Sequence, residues 1–383
     1  MEHVTGLVSN FWNFGIVFLL VLTVVVFIHE LGHYLVARWN GVRIEVFSVG
    51  FGKELWGWTD KAGTRWRISL LPLGGYVKMF GDADATSSTG ADVPMTPEEQ
   101  AVSFHHKRVG QRAAIVFAGP AMNFIFGILV LALLFMFIGQ PQTPAVVGAV
   151  TPDSPAATAG LQPGDKIVEV NGQPVRRFQD VQKIVRLGVG EPLDMLVVRD
   201  GREISLHAQP RVQEIEDNFG NKHRAPVLGV RSPEADTTEI VRHGPVSAVV
   251  TAVGETYTIV ETTMTALGQM IAGTRDAEEL GGPLRIAKGA GQAAQMGIIS
   301  TVVFMVLISI NLGLINLFPI PLLDGGHLAF YAVEAARGRP LSPRAQEYGF
   351  RVGMFLVLAL MIFATRNDLL DLGVFEFVRG LIS

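Results

Sequence analysis

Apolar residues fall along this chain in four long blocks, separated by alternating, polar and amphipathic stretches. The blocks run from about Phe14 to Arg38, Ala113 to Ile138, Ile298 to Phe318 and Phe350 to Ala364. A helix needs roughly 20 residues to cross the hydrocarbon of a bilayer, so each block is expected to be a spanning helix, the last being the shortest. A buried core helix is the alternative, and it is weakest for the second block, where FAGPAMNFIFGILVLALLFMFIG carries no charge. Gly119, Pro120, Asn123 and Gly127 in that block suggest close helix packing, since small residues and amides hold helices together in lipid.

Between the first two blocks the period changes. Arg65-Trp66-Arg67-Ile68-Ser69-Leu70 alternates as a strand does, and Gly50-Phe51-Gly52, Pro72 and Gly74-Gly75 mark turns or breaks, so a small β-region is expected near the membrane surface. The polar run DADATSSTGADVPMTPEEQ (82–100) reads as a loop. From about 144 to 210 the character is that of a compact soluble domain. Strands are expected over Ala145–Val150, Lys166–Val170, Leu193–Arg199 and Glu203–Ala208, a helix over Phe178–Leu187, and turns at Asn171-Gly172 and Asp200-Gly201. From Pro233 to Gln295 the pattern reads as amphipathic and helical, too polar to span, lying along the interface or on the other helices. The expected divisions are 1–40 (first helix), 41–110 (β-region and loop), 111–140 (second helix), 141–212 (soluble domain), 213–296 (amphipathic helices), 297–327 (third helix) and 328–383 (loop, fourth helix and tail).

Composition agrees with a membrane chain. Of 383 residues 49% are hydrophobic and 17% charged, against roughly 25% charged in soluble domains. The net charge of −4 gives no basic surface for nucleic acid. There is no cysteine, so a metal must be held by His, Asp or Glu. Arginines and lysines crowd the segment after the first block and the loop after the third (Arg337, Arg339, Arg344). By the positive-inside tendency both are cytoplasmic, which places the soluble domain and both termini outside. The N-terminus lacks the basic start and cleavage site of a secretory signal, and the first block reads as a retained helix.

The first block ends in His29-Glu30-Leu31-Gly32-His33. Positions i and i+4 share a helix face, so both imidazoles can reach one zinc ion while Glu30 stands beside the open position as general base. Ionisable residues inside an apolar helix are costly and point to function. The bland alternative is a helix end whose histidines reach the interface. A third ligand is needed, and Asp324 is the best candidate: Pro319 and Pro321 break the chain ahead of it and Gly325-Gly326 permit a turn inward. Read alone, Asp324 would be a loop or helix-cap residue. His327 reads as structural or supporting, and His105 and His106 as solvated.

These motifs resemble the site-2 protease family of intramembrane zinc metalloproteases, and within it the bacterial RseP type that cleaves membrane-anchored anti-sigma factors. HELGH (29–33) matches the zinc helix and NLFPIPLLDGGH (316–327) the NxxPxPxLDG motif. LPLGGYVKM (71–79) and GFG (50–52) match the membrane-associated β-region, RAAIVFAGPAMNF (112–124) the second helix, and GGPLRIAK (281–288) the stretch before the third. VTPDSPAATAGLQPGDKIVEVNGQPV (150–175) looks like a PDZ domain; the best-known RseP types carry two in tandem, and one is recognisable here. The resemblance implies an α-helical polytopic membrane protein of about four transmembrane helices, with a membrane-associated β-region and an inserted PDZ domain (β-sandwich-like, α+β). It implies Zn2+ on His29, His33 and Asp324, catalysis by Glu30, and substrate binding by Asn316, Gly50, Phe51, Gly52, Gly74 and Gly75. The partners it implies are single-span membrane proteins (anti-sigma-factor-like proteins or remnant signal peptides) and lipid, with the PDZ domain touching a substrate ectodomain or C-terminus. The implied location is the bacterial inner membrane, with the active site near its cytoplasmic side. A catalytically inactive membrane PDZ scaffold is the alternative, which the intact Glu30 disfavours, and a transporter is a third, disfavoured by the absence of paired broken helices.

Overall fold

The computed structural model describes residues 2–81, 95–188, 190–216, 222–233 and 239–371. Its contacts divide into two compact units, Met1–Val130 with Gly281–Ser383, and Leu131–Leu280. The chain opens with helix α1 (Glu2–Trp39), whose span-length apolar part is Phe14–Trp39. Two long strands follow, β1 (Ile44–Thr59) and β2 (Arg65–Met79), paired antiparallel. Within the pair, residues 46–49 of β1 face both 75–78 and 65–68 of β2, while 54–59 face 65–69. Each strand therefore folds back on the other. The bends fall at Gly50, Gly52 and Gly74, whose φ values of 90°, 86° and 140° favour glycine.

Most of the expected loop (82–94) lies outside the described residues, but its end is a helix, α2 (Pro97–Val102). The Thr96 hydroxyl accepts the Glu99 N–H and the Glu99 carboxylate accepts the Thr96 N–H, with Pro97 in the first turn. That reciprocal cap organises the start of a helix the composition had disguised. Helix α3 (Val109–Phe137) is the second apolar block.

The second unit contains β3 (Gln140–Gln142), β4 (Ala149–Val150), α4 (Pro155–Thr158), β5 (Lys166–Val170), β6 (Gln173–Pro174), α5 (Phe178–Leu187), β7 (Leu193–Arg199) and β8 (Arg202–Ala208). Four strands form a sheet in the order β6-β5-β7-β8. Asn171-Gly172 and Asp200-Gly201 all have positive φ, as the tight turns between neighbouring strands require. Alternate residues of β7 (Leu193, Met195, Val197) enter a core with Ile167, Val170, Val181 and Val185; each such side chain removed from water contributes about 1.5–3 kcal/mol. Helices do not begin at residue 213 as expected. The chain first forms β9 (Arg211–Glu216), β10 (Lys222–Val227), β11 (Val230–Arg231) and β12 (Glu239–Val241). β9 and β10 pair with each other, β11 with β4 and β12 with β3. Only then comes helix α6 (Pro245–Ile271), which is not among the helices apolar enough to cross a membrane.

The chain returns to the first unit with α7 (Pro283–Gln295), α8 (Ile298–Asn316), α9 (Asp324–Arg337) and α10 (Pro343–Asp371). α8 and Pro343–Leu370 of α10 complete, among the described residues, four helices long and apolar enough to span, the last longer than its apolar block suggested. Ala37, Val42, Ile44, Met79, Phe104, Ile115, Val116 and Tyr331 form a buried cluster beneath the end of α1. It joins α1, the hairpin, α3 and α9, and so fixes the elements that carry the motif residues.

Candidate functional site

His29 and His33 sit one turn apart on α1, both buried, with their Nε2 atoms 3.2 Å from each other. Asp324, the first residue of α9, reaches the same point: Oδ2 is 3.0 Å from His29 Nε2 and Oδ1 is 3.6 Å from His33 Nε2. One donor atom from each of the three lies within 4.8 Å of the others. Asp324 Oδ2 is buried and accepts no hydrogen bond among the described residues, despite its closeness to His29. Three lone pairs aimed at a common point, with a buried oxygen left unbonded, fit a shared cation better than a hydrogen-bonded cluster.

Local sequence brings Asp324 there. Pro319 and Pro321 prevent α8 from continuing, and Leu322 is held at φ 123°, a strained value for a residue with a side chain. A Cβ on Gly325 would run into the Leu317 and Phe318 carbonyls, and one on Gly326 into Ile320 and Pro321, so only glycines let α9 start this close to the turn. Gly353 on α10 packs onto Pro321 with no room for a side chain.

Helix α3 crosses the two histidines with one face. His33 Nδ1 hydrogen-bonds to the Ile115 carbonyl at 2.9 Å. One turn on, Gly119 has no room for a Cβ beside both imidazoles; one turn further, the Asn123 side-chain amide lies 3.3 Å from His29 Nδ1. Gly32 of α1 meets the Ala118 carbonyl in the same way, which keeps the two helices close. Glu30 points toward β2, where the Val77 N–H donates to it and Gly75 leaves the space a Cβ would take beside Val26 and the Glu30 Cγ.

The structure thus brings together His29, Glu30, His33 and Asp324, with Gly75 against Glu30. Gly50, Phe51, Gly52 and Gly74 lie at the bends of the hairpin; the Phe51 ring covers Gly74, and a large share of it is exposed. Asn316 is the last residue of α8. His327 packs its ring against Phe350 and Tyr331, away from ligation, and His105 and His106 are exposed. Ile115 and Asn123 as partners of the histidines were not foreseen. Their signal is the spacing 115, 119, 123 on one face of an apolar helix, of which the sequence reading takes only Gly119 and Asn123, as packing residues.

The sequence profile of peptidase family M50 matches residues 17–360. The chain belongs to peptidase family M50. A zinc metalloprotease by name from Agrobacterium fabrum is 45% identical over 358 residues, covering 93% of this chain and 95% of that one. Metalloprotease MmpA of Caulobacter vibrioides is 39% identical over 389 residues, covering 95% and 97%. Regulator of sigma-E protease RseP of Salmonella typhimurium is 34% identical over 457 residues, covering 94% and 99%. This member of the family is accordingly a membrane metalloprotease of the site-2 type with zinc as its cofactor. Two imidazoles and a carboxylate are a donor set that suits zinc in a hydrolase, with a position left open for chemistry.

Proposed function

We propose that His29, His33 and Asp324 hold the zinc, that Glu30 is the general base, and that the protein cleaves single-span membrane proteins within or beside their transmembrane segments. The observation that carries this reading is the meeting of His29 Nε2, His33 Nε2 and the Asp324 carboxylate at one buried point next to Glu30. Zinc bound there supplies Lewis acidity, drawing the pKa of water toward 7 and polarising a carbonyl. Glu30, steadied by the Val77 N–H, takes the proton of the attacking water and returns it to the leaving amine.

A helical substrate hides its carbonyls in its own hydrogen bonds and must be unwound before attack. The β1–β2 hairpin, bordering Glu30 at Gly75, offers strand edges to which an unwound segment adds. Gly50, Phe51, Gly52, Gly74 and Gly75 shape those edges, and Asn316 holds the substrate backbone. Leu70, Leu71, Leu73, Trp56 and Trp58 of the hairpin are exposed, as suits a sheet in contact with lipid. The distribution of arginine and lysine favours an active site near the cytoplasmic side of a bacterial inner membrane, with residues 141–212 outside. We read 141–212, with Leu228-Gly229-Val230 leading into β11, as a PDZ domain that screens substrate ectodomains; anti-sigma-factor-like proteins and remnant signal peptides are the substrate classes. The test is a comparison of membrane proteomes holding wild type and Glu30→Gln. Intact single-span proteins should accumulate with the variant, and identical proteomes would contradict the reading.

A further inference from the structure

We propose that Asn123 is a positioning residue for the metal centre: its amide oxygen accepts the Nδ1–H of His29 and so fixes that ring with Nε2 turned to the zinc. The inference rests on the reading of His29 as a ligand. His29 faces the other donors through Nε2, and a neutral imidazole that ligates through Nε2 carries its hydrogen on Nδ1. His33 is in this state already, with Nδ1 against the Ile115 carbonyl, an acceptor that cannot be anything else. His29 Nδ1 has the Asn123 amide as its counterpart at 3.3 Å.

In the structure the amide presents Nδ2 to Nδ1, and Oδ1 is buried with no hydrogen-bond partner among the described residues. With zinc on Nε2 that orientation would set donor against donor while an acceptor stays unused. A half-turn of the amide plane brings Oδ1 onto the Nδ1 hydrogen and resolves both at once. The rest of Asn123 is held for this task. Its carbonyl accepts from the Ser309 hydroxyl at 3.1 Å, both residues are fully buried, and Gly313 of α8 packs against its Cβ. Ile115, Gly119 and Asn123, each one turn further along α3, therefore supply an acceptor for one histidine, clearance for both, and an acceptor for the other. Partners of this kind orient metal-ligating histidines, and losing one weakens metal binding by about 10–100-fold.

The experiment measures zinc affinity by chelator competition in the purified full-length protein for wild type, Asn123→Leu, Asn123→Asp and His29→Ala. Asn123→Leu, close in size but with no acceptor, should bind zinc about 10–100-fold more weakly. Asn123→Asp, which can accept but not donate, should stay within about threefold of wild type or bind more tightly. Equal losses in the Leu and Asp variants would mean the amide hydrogens are what matters, and wild-type affinity in both would mean Asn123 has no part; either overturns the inference. His29→Ala separates the two readings: if it too keeps wild-type affinity, the ligand assignment itself has failed. Should Asn123→Leu not fold, Asn123→Ala, which also lacks an acceptor, takes its place with the same expected loss. An atomic-resolution structure of the zinc-loaded wild type with Nδ2 facing Nδ1 would overturn the inference whatever the variants do.

Discussion

Glu30 and its neighbour His29 differ by one step along α1 and about 100° around it, and that rotation separates their surroundings: His29 faces α3 and Asp324, Glu30 faces β2. The shared face of His29 and His33, with Glu30 beside it, was legible in HELGH because the spacing of a helix is local; the elements these residues meet were not. The part played by Asn123 was not, since its partner is 94 positions away and an amide in an apolar helix reads equally as packing. Asp165 shows the same limit in the second unit. It is fully buried and gives one oxygen each to Arg199 Nε and an Arg199 terminal nitrogen at 2.7 Å, with the Gln162 N–H at 2.8 Å. Burial alone would raise its pKa, but Arg199 and the Gln162 N–H outweigh that and hold it below the usual carboxylate value. The folded unit therefore binds this proton less readily than the unfolded chain does. The stability it contributes is in place above about pH 4 and is lost as pH falls from there through the folded value. Hydrogen-exchange protection of β5 and β7 in the full-length protein should drop across that window. Asp165→Asn should begin with lower protection and lose less of it on acidification; a pH profile like that of wild type would show that Asp165 contributes nothing.

Among the elements, α3 packs on the histidines with no room for a side chain at Gly119. Gly119→Ala would set a methyl against both imidazoles, and relieving an overpacked contact costs about 1–3 kcal/mol. Zinc affinity should fall by about 5- to 150-fold, whereas Gly254→Ala on α6, where a Cβ meets nothing within 4 Å, should leave it unchanged. Equal affinity in the two variants would mean that α3 does not constrain the histidines. The apolar helices were readable because length and lack of charge suffice. The hairpin was readable as strand and turn, but its double pairing was not, because residues 46–49 meet two partners that no local period encodes. The strands β9 to β12 fall largely inside the expected helical region 213–296, since short polar strands held by distant partners (β11 by β4, β12 by β3) leave no strong period of their own. The capped helix at Thr96 was hidden in a polar run whose cap residues, read as composition, look like loop.

For the whole molecule, the contacts divide the chain into a unit carrying the candidate ligands and a unit spanning Leu131–Leu280. If residues 144–210 screen substrates and take no part in catalysis, replacing them with a short Gly/Ser bridge should leave zinc content at wild-type level. Cleavage of a substrate with a short ectodomain should proceed at or above the wild-type rate, and substrates with a large folded ectodomain should become cleavable. Loss of cleavage of the short substrate with zinc still bound would make the domain a recruiter and end the filter idea.

The central claim is that one zinc is held by His29, His33 and Asp324 and put to work by Glu30. Its most direct test is zinc content and peptide-bond cleavage measured side by side on purified full-length protein, for wild type, Asp324→Ala and Glu30→Gln. Wild type should hold one zinc and cleave, Asp324→Ala should do neither, and Glu30→Gln should hold one zinc with cleavage reduced by about 10²-fold or more. Undiminished cleavage by Glu30→Gln, or full zinc content in Asp324→Ala, would contradict it.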